Sequence, residues 1–283
     1  MSGAVATTPT GAGSLIRKRL GRWTLNAFAI LAFIYILLPL IFVIWLSFYE
    51  QEIPSYPPTG YSTQWYAAAI ANERFLSAFW LSTRVGVVAT VIGLLLAIPA
   101  SIALTRYRFP GRAGINNLLL MPLVVPGIVL GIALYIFQVE TEINTGLPVI
   151  GSFWGMVFGH ILLVIPWAVR LISASLIGFD RTQEEAAMNL GATPFVAFRR
   201  VTMPAVLPGI VAGAMFGFVS SFGNLEVSLF LVVPGQTTLP VAILQYLEWK
   251  IDPTIAAISV LQILVIVAAM LVTGRFVKLS RVV

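Results

Sequence analysis

The chain has 283 residues; 59% are apolar and only 10% charged, far below the roughly 25% of a soluble domain, so a water-soluble globular protein is excluded. It contains no cysteine, which removes disulfides, thiolate nucleophiles and cysteine metal sites, and its single histidine, His160, cannot build a metal cluster. The net charge of +6 suggests nucleic acid until its distribution along the chain is read.

Residues 1–22 are expected to form a cytoplasmic tail, small and polar as far as Ser14 and then basic with Arg17, Lys18, Arg19 and Arg22. Residues 23–283 read as one all-α, polytopic membrane domain of six spans, at 25–48, 84–104, 118–137, 153–177, 206–233 and 255–276. The first stretch is too long for a signal-peptide core and reads as an uncleaved span. Pro39, Pro99, Pro122, Pro126, Pro166 and Pro208 fall inside these spans, where neighbouring helices re-satisfy the freed backbone groups, and they predict kinks suited to a cavity.

With the N-terminus inside, 14 of the 17 basic residues fall in the cytoplasm, the exceptions being Arg74, Arg84 and Lys250. Glu50, Glu52, Glu73, Glu140, Glu142, Glu248 and Asp252 fall outside. The positive charge is therefore a topology signal with some attraction to anionic membrane lipid, not a nucleic-acid patch, and both termini are expected in the cytoplasm. The first external loop is long, and 66–79 has the composition of a surface helix. Trp23, Trp65, Trp80, Trp154 and Trp249 lie near span ends and read as interface anchors.

One cytoplasmic loop is substantial, about 178–203. Asp180 can cap a helix, and Thr182-Gln183-Glu184-Glu185 fits a capping box with acids at the positive end of the dipole. Ala186, Ala187, Met188 and Leu190 propagate a helix, and Gly191 stands where a left-handed terminal residue is wanted. Thr193 and Pro194 open a second helix, and Pro204 precedes the fifth span. A helix this short is marginal alone in water, so it rests against something. The residues leave open whether that is the membrane surface or another protein.

The spacing Glu185-Ala186-Ala187, three residues, Gly191, nine residues, Val201, one residue, Met203-Pro204 resembles the signature of permease subunits of binding-protein-dependent ABC importers of type I. Val201 and Met203 stand where that signature has Ile and Leu. His160 with Pro166 and Leu176, Thr237-Thr238-Leu239-Pro240, and Asp252-Pro253-Thr254-Ile255-Ala256-Ala257 are similar to the spermidine/putrescine branch, the likeness covering about 25–278. The resemblance implies the six-helix permease fold. It implies that Glu184, Glu185, Ala186, Ala187, Met188, Leu190, Gly191 and Pro204 form the coupling element that sits in a groove of an ATPase subunit. It also implies the partners: an ABC ATPase dimer, a second and paralogous permease, and an extracytoplasmic solute-binding protein, in a bacterial inner membrane. The branch also carries opines, phosphonates, ferric iron and thiamine.

No catalytic or metal-binding arrangement is apparent in the chain. Its lysines, Lys18, Lys250 and Lys278, follow Arg17, Trp249 and Val277, so no Gly-Lys-Ser/Thr phosphate loop exists and ATP and magnesium belong to a partner. Asn224 and Glu226 are the candidates for the translocation pathway, because an intramembrane carboxylate is costly unless it faces a cavity or a partner; the bland alternative pairs Glu226 with Arg84 or with a group on the partner permease. His160 reads as a satisfied structural histidine. An ion-gradient transporter is the distant alternative, which six spans with one docking loop fit poorly.

Overall fold

The computed structural model describes residues 12–276. Twelve helices follow in order: α1 (Ala12–Leu46), α2 (Gln64–Ala71), α3 (Glu73–Arg106), α4 (Arg112–Leu120), α5 (Gly127–Thr145), α6 (Phe153–Ile177), α7 (Thr182–Asn189), α8 (Pro194–Ala197), α9 (Met203–Phe222), α10 (Glu226–Leu231), α11 (Leu239–Trp249) and α12 (Thr254–Phe276). Among the described residues β-pairing is limited to two isolated bridges, Tyr49 with Tyr61 and Val233 with Gln236. Among the described residues, six helices are long and apolar enough to cross a membrane. The fold is the all-α, six-span architecture expected.

The bundle is built on α3, α6 and α9. Helices in lipid gain little from hiding oil from oil, so close packing and small residues must hold them together. Val164 of α6 sits between Gly93 of α3 and Gly217 of α9, and a Cβ at either glycine would come within 2.7 Å of its Cγ1. Toward the α7 end, Ala97, Leu104, Ala168, Ile172, Leu176 and Val206 form a second packed layer. The apolar window of α1 is unburied along its length.

The expected span at 153–177 is α6 residue for residue, capped by the Ser152 hydroxyl on the Gly155 amide at 2.9 Å. Others differ. The helix expected over 66–79 is divided at Asn72, whose Oδ1 accepts from the Arg74 and Phe75 amides at 3.0 and 3.3 Å and so starts α3 eleven residues before the expected 84. The backbone of α1 is helical from Ala12, inside the segment expected as a tail; residues 1–11 lie outside the described residues. The third span is interrupted: α4 ends in a 3₁₀ turn, Met121–Leu123, and α5 begins only after Pro126. The fifth span ends at Phe222 rather than 233. Trp65 is not an interface anchor. It is 8% exposed, its indole N–H donates to the Tyr49 carbonyl at 2.7 Å, and it packs with Phe75, Phe222 and Leu239.

At the end of the bundle that carries α2 and α11, Asp252 fixes the entry to α12. It is buried, and it accepts from the Thr254 amide at 2.9 Å, the Tyr246 hydroxyl at 2.9 Å and the Lys250 ammonium at 2.9 Å. Burial opposes its charge, but the hydrogen bonds from Lys250, Thr254 and Tyr246 outweigh that and hold its carboxyl below the usual range. A carboxyl with a depressed folded pKa stabilises at pH above its unfolded value and loses that contribution as pH falls through the folded one. The melting temperature in detergent should therefore be level near neutrality and drop below about pH 4. Asp252→Asn should lower the neutral plateau and flatten this acid limb; an unchanged acid limb in the variant would show that another group controls it.

Candidate functional site

Two regions bear on function: the loop between α6 and α9, and the interruption between α9 and α10.

In the loop, Asp180 caps α7 by accepting from the Thr182 amide at 3.0 Å, and no capping-box hydrogen bond from the Thr182 side chain accompanies it. Gly191 ends the helix at φ +92°, the left-handed conformation the sequence asked for. The Thr193 hydroxyl accepts from the Val196 amide at 3.4 Å, with Pro194 in the first turn of α8. From there 194–222 is a single helical rod through α8, a π turn at Phe198–Thr202, and α9. Only a few residues, including Gly191, thus separate α7 from a membrane span.

Glu184 points into its own subunit. The carboxylate takes both Arg106 guanidinium nitrogens, Nη1 at 3.1 Å and Nη2 at 2.8 Å, and accepts from the Thr202 hydroxyl at 3.0 Å. Burial pushes its pKa up, but the Arg106 and Thr202 hydrogen bonds and the Arg106 and Arg181 charges outweigh that and hold it low. Thus α7 is pinned to the last residue of α3 and to the residue before α9. The opposite face of α7 is open. Glu185, Ala186, Met188 and Leu190 are exposed, Leu190 at 90%, and Phe195 follows at 70%. Pro204 lines a cleft of ≈ 410 Å³ beside Asp180 and Gln183.

At the second region, the chain leaves α9 at Gly223 and restarts as α10. Glu226, expected inside a continuous span, is instead the first residue of this short helix. The Asn224 side chain accepts from the Val227 amide at 2.9 Å, capping α10. The restart is held from behind by buried His160 of α6. Its Nδ1 lies 2.7 Å from the Ser221 hydroxyl and its Nε2 3.3 Å from the Ser228 hydroxyl. Ser228 donates its proton to the Asn224 carbonyl at 2.6 Å, so its oxygen accepts from Nε2–H and Ser221 donates to Nδ1. One neutral tautomer satisfies all three groups, the satisfied structural histidine the sequence suggested.

Glu226 itself is exposed and meets no cation or hydrogen-bond donor among the described side chains. Arg84, its suggested partner, turns to its own helix, Nε to the Trp80 carbonyl at 3.4 Å. The carboxylate lies instead over Gly127, the first residue of α5, where a Cβ would collide with it. Gly131 admits the α10 backbone in the same way, a Cβ there falling 3.1 Å from the Glu226 carbonyl oxygen. The interruptions in the third and fifth spans therefore meet, with a carboxylate at a helix N-terminus between them. Sequence reasoning missed Gly127, although Pro122 and Pro126 within one expected span carried the signal; it missed the partners Arg106, Ser221 and Ser228, which lie too far along the chain to leave one. No group of three His, Asp or Glu side chains able to hold a metal occurs among the described residues.

Two helix breaks that meet at an unpaired carboxylate, with a capped helix on the α7 side of a six-span bundle, suit a transporter permease better than an anchor bundle. Residues 89–281 match the family of binding-protein-dependent transport system inner membrane components, and the chain belongs to that family: it is a permease subunit of an ABC importer and a multi-pass inner membrane protein. It is 29% identical to the putrescine transport system permease PotI of Escherichia coli K12 over 233 residues, 82% of this chain and 83% of that one. It is 28% identical over 257 residues to the spermidine/putrescine permease PotC of the same strain, covering 89% and 95%. Among solved structures it matches a chain of a bacterial alginate ABC importer at a TM-score of 0.67 and 15% identity, covering 95% and 99%, and one of the MetNI methionine transporter at 0.60 and 19%, covering 72% and 94%.

The Glu184 joint is testable by itself. Arg106→Ala leaves a buried carboxylate without its cation and should destabilise the purified subunit by about 3 kcal/mol. The Arg106→Ala/Glu184→Ala double variant should cost less than the sum of the two single changes; strict additivity in thermal melts would show that the two groups are not coupled.

Proposed function

We propose that this subunit conducts a polyamine-like polycation, of the putrescine or spermidine class, past Glu226. The reading rests on that carboxylate, which is exposed within the membrane domain, is unpaired among the described side chains, and is held at a broken span by Asn224, Ser228 and His160. An unpaired carboxylate at membrane depth suits a passing ammonium, whereas a phosphonate would be repelled. The relatives named for putrescine and spermidine transport support the same class.

The energy comes from a partner. Glu185, Ala186, Ala187, Met188 and Leu190 present the face of α7 that docks on an ATPase dimer, which holds ATP and magnesium; Leu190 and Phe195 are too apolar and too exposed to face water alone. Glu184, with Arg106 and Thr202, ties that helix to the spans. Gly191 precedes the rod that α7 drives, and Pro204 lies within that rod at the first turn of α9. The unburied α1 faces lipid or a second, paralogous permease. Both termini lie in the cytoplasm, and residues 23–283 act as one translocation domain behind the tail at 1–22. A solute-binding protein delivers the substrate from outside, as in the alginate importer solved with its substrate-bound periplasmic protein.

Neutralising the pathway group, Glu226→Gln, should raise the KM for putrescine about 10- to 100-fold while the complex assembles and hydrolyses ATP normally. An unaltered KM would remove Glu226 from the pathway. Gly191→Val meets no steric obstacle, since a Cβ there finds nothing within 4 Å, but it opposes φ +92° by about 1–2 kcal/mol. Substrate moved per ATP in proteoliposomes should fall; wild-type stoichiometry would mean that the hinge does not transmit.

A further inference from the structure

The end of the bundle opposite α7 is acidic. Glu50, Glu52, Glu73, Glu140 and Glu248 are exposed there, and Lys250 is already neutralised by Asp252 at 2.9 Å. Two cations stand against this background, Arg74 and Arg84, both exposed and neither meeting a carboxylate among the described residues. Arg74, Ser77, Leu81 and Arg84 recur at steps of three and four along α3, so both guanidinium groups lie on one helix face. That face lines two adjoining clefts of ≈ 570 and ≈ 280 Å³, which share Ser77, Gly235 and Thr237. Arg74 is directed by donating to the Gln245 side chain, and the far wall is the turn around Gly235, at φ +87°, closed by the Val233–Gln236 bridge.

The cleft also adjoins the helix that begins with Glu226. Helix α10 runs from Glu226 to Leu231, and the next two residues, Val232 and Val233, line the cleft. A cationic mouth above an acidic site repels the solute that the acid attracts, unless something anionic covers the arginines. The solute, being a cation, cannot do this itself.

We propose that the Arg74–Arg84 cleft receives carboxylate side chains of the solute-binding protein, and that their arrival neutralises a positive barrier at the mouth of the cation path. The proposal rests on the permease reading and on its orientation. Docking through such exposed charges acts mainly on association and is sensitive to salt. Without the partner, the two arginines discourage cations from entering or leaving by the same route.

The test uses the complete transporter, with both permeases and the ATPase, in nanodiscs, titrated with its solute-binding protein while ATP hydrolysis is followed. Two exposed ion pairs at about 0.7 kcal/mol each correspond to roughly a tenfold effect. Arg74→Gln/Arg84→Gln should raise the half-saturating binding-protein concentration about tenfold at about 50 mM salt, with the difference shrinking at about 300 mM. Basal and maximal hydrolysis should stay unchanged, and Arg74→Lys/Arg84→Lys should recover most of the affinity. In sealed vesicles the Gln variant should also leak putrescine faster without binding protein. Equal half-saturation in wild type and the Gln variant overturns the proposal. So does a difference that appears only in bilayers containing phosphatidylglycerol, which would assign the cleft to a lipid headgroup. If wild-type hydrolysis is not stimulated at all, the permease reading beneath the proposal is what fails.

Discussion

A backbone amide inside a bilayer has no water to turn to, and this chain breaks its helices beside the ends of two of its six spans, at 121–126 and at 223–225. Every helix end created in hydrocarbon must find its partners within the protein. At the start of α10 they are supplied by Asn224 on the Val227 amide, Ser228 on the Asn224 carbonyl, and His160 bridging Ser228 to Ser221. The fully apolar spans could shift or tilt with modest loss, because lipid replaces most of what they touch. The interruption cannot, since each displaced hydroxyl or carbonyl is left unpaired at a cost of about 1–3 kcal/mol. Glu226 thereby occupies a fixed position although its own carboxylate meets no donor side chain.

The α7 end follows a different economy. There the helix is too short to be stable alone, and its stability is drawn from one inward residue, Glu184, on Arg106 and Thr202. Having one face committed inward leaves the other free to be apolar and exposed. That division explains how two adjacent glutamates differ: Glu184 is buried in an ion pair and Glu185 faces outward. In the proposed coupling, a moving part needs both a partner to follow and a joint to its own body, and consecutive residues of α7 would supply them.

Much of this was legible in the sequence where the signal is local. The ends of α6, the Asp180 cap, the Gly191 terminus and the Thr193-Pro194 restart all depend on residues within one turn of each other, and they appear where expected. Six spans follow from hydropathy alone. The interruption at 223–225 did not, because α9 and α10 are equally apolar and the read-through hides a break marked only by Gly223 and Asn224. Helix α11 was missed for the opposite reason: its eleven residues are too few for a span and follow a turn. Trp65 was misplaced because an amphipathic ring near a span end looks the same whether its N–H reaches headgroups or the Tyr49 carbonyl. The Arg106–Glu184 pair joins positions 78 residues apart, a distance at which charge alone names no partner.

Helix α3 is unbroken over 34 residues, kinked by nothing harsher than Pro99, and about 51 Å long. Arg74 stands at its first turn and Arg106 is its last residue. One strut therefore runs from the arginine cleft to the joint that carries α7. A rod of that length turns angle into travel: a tilt of about 5° about one end carries the other through about 4 Å. Under the proposed docking, news of a protein landing on one side of the membrane would need no relay of side chains to reach the other, because Arg74 and Arg106 are opposite ends of the same piece.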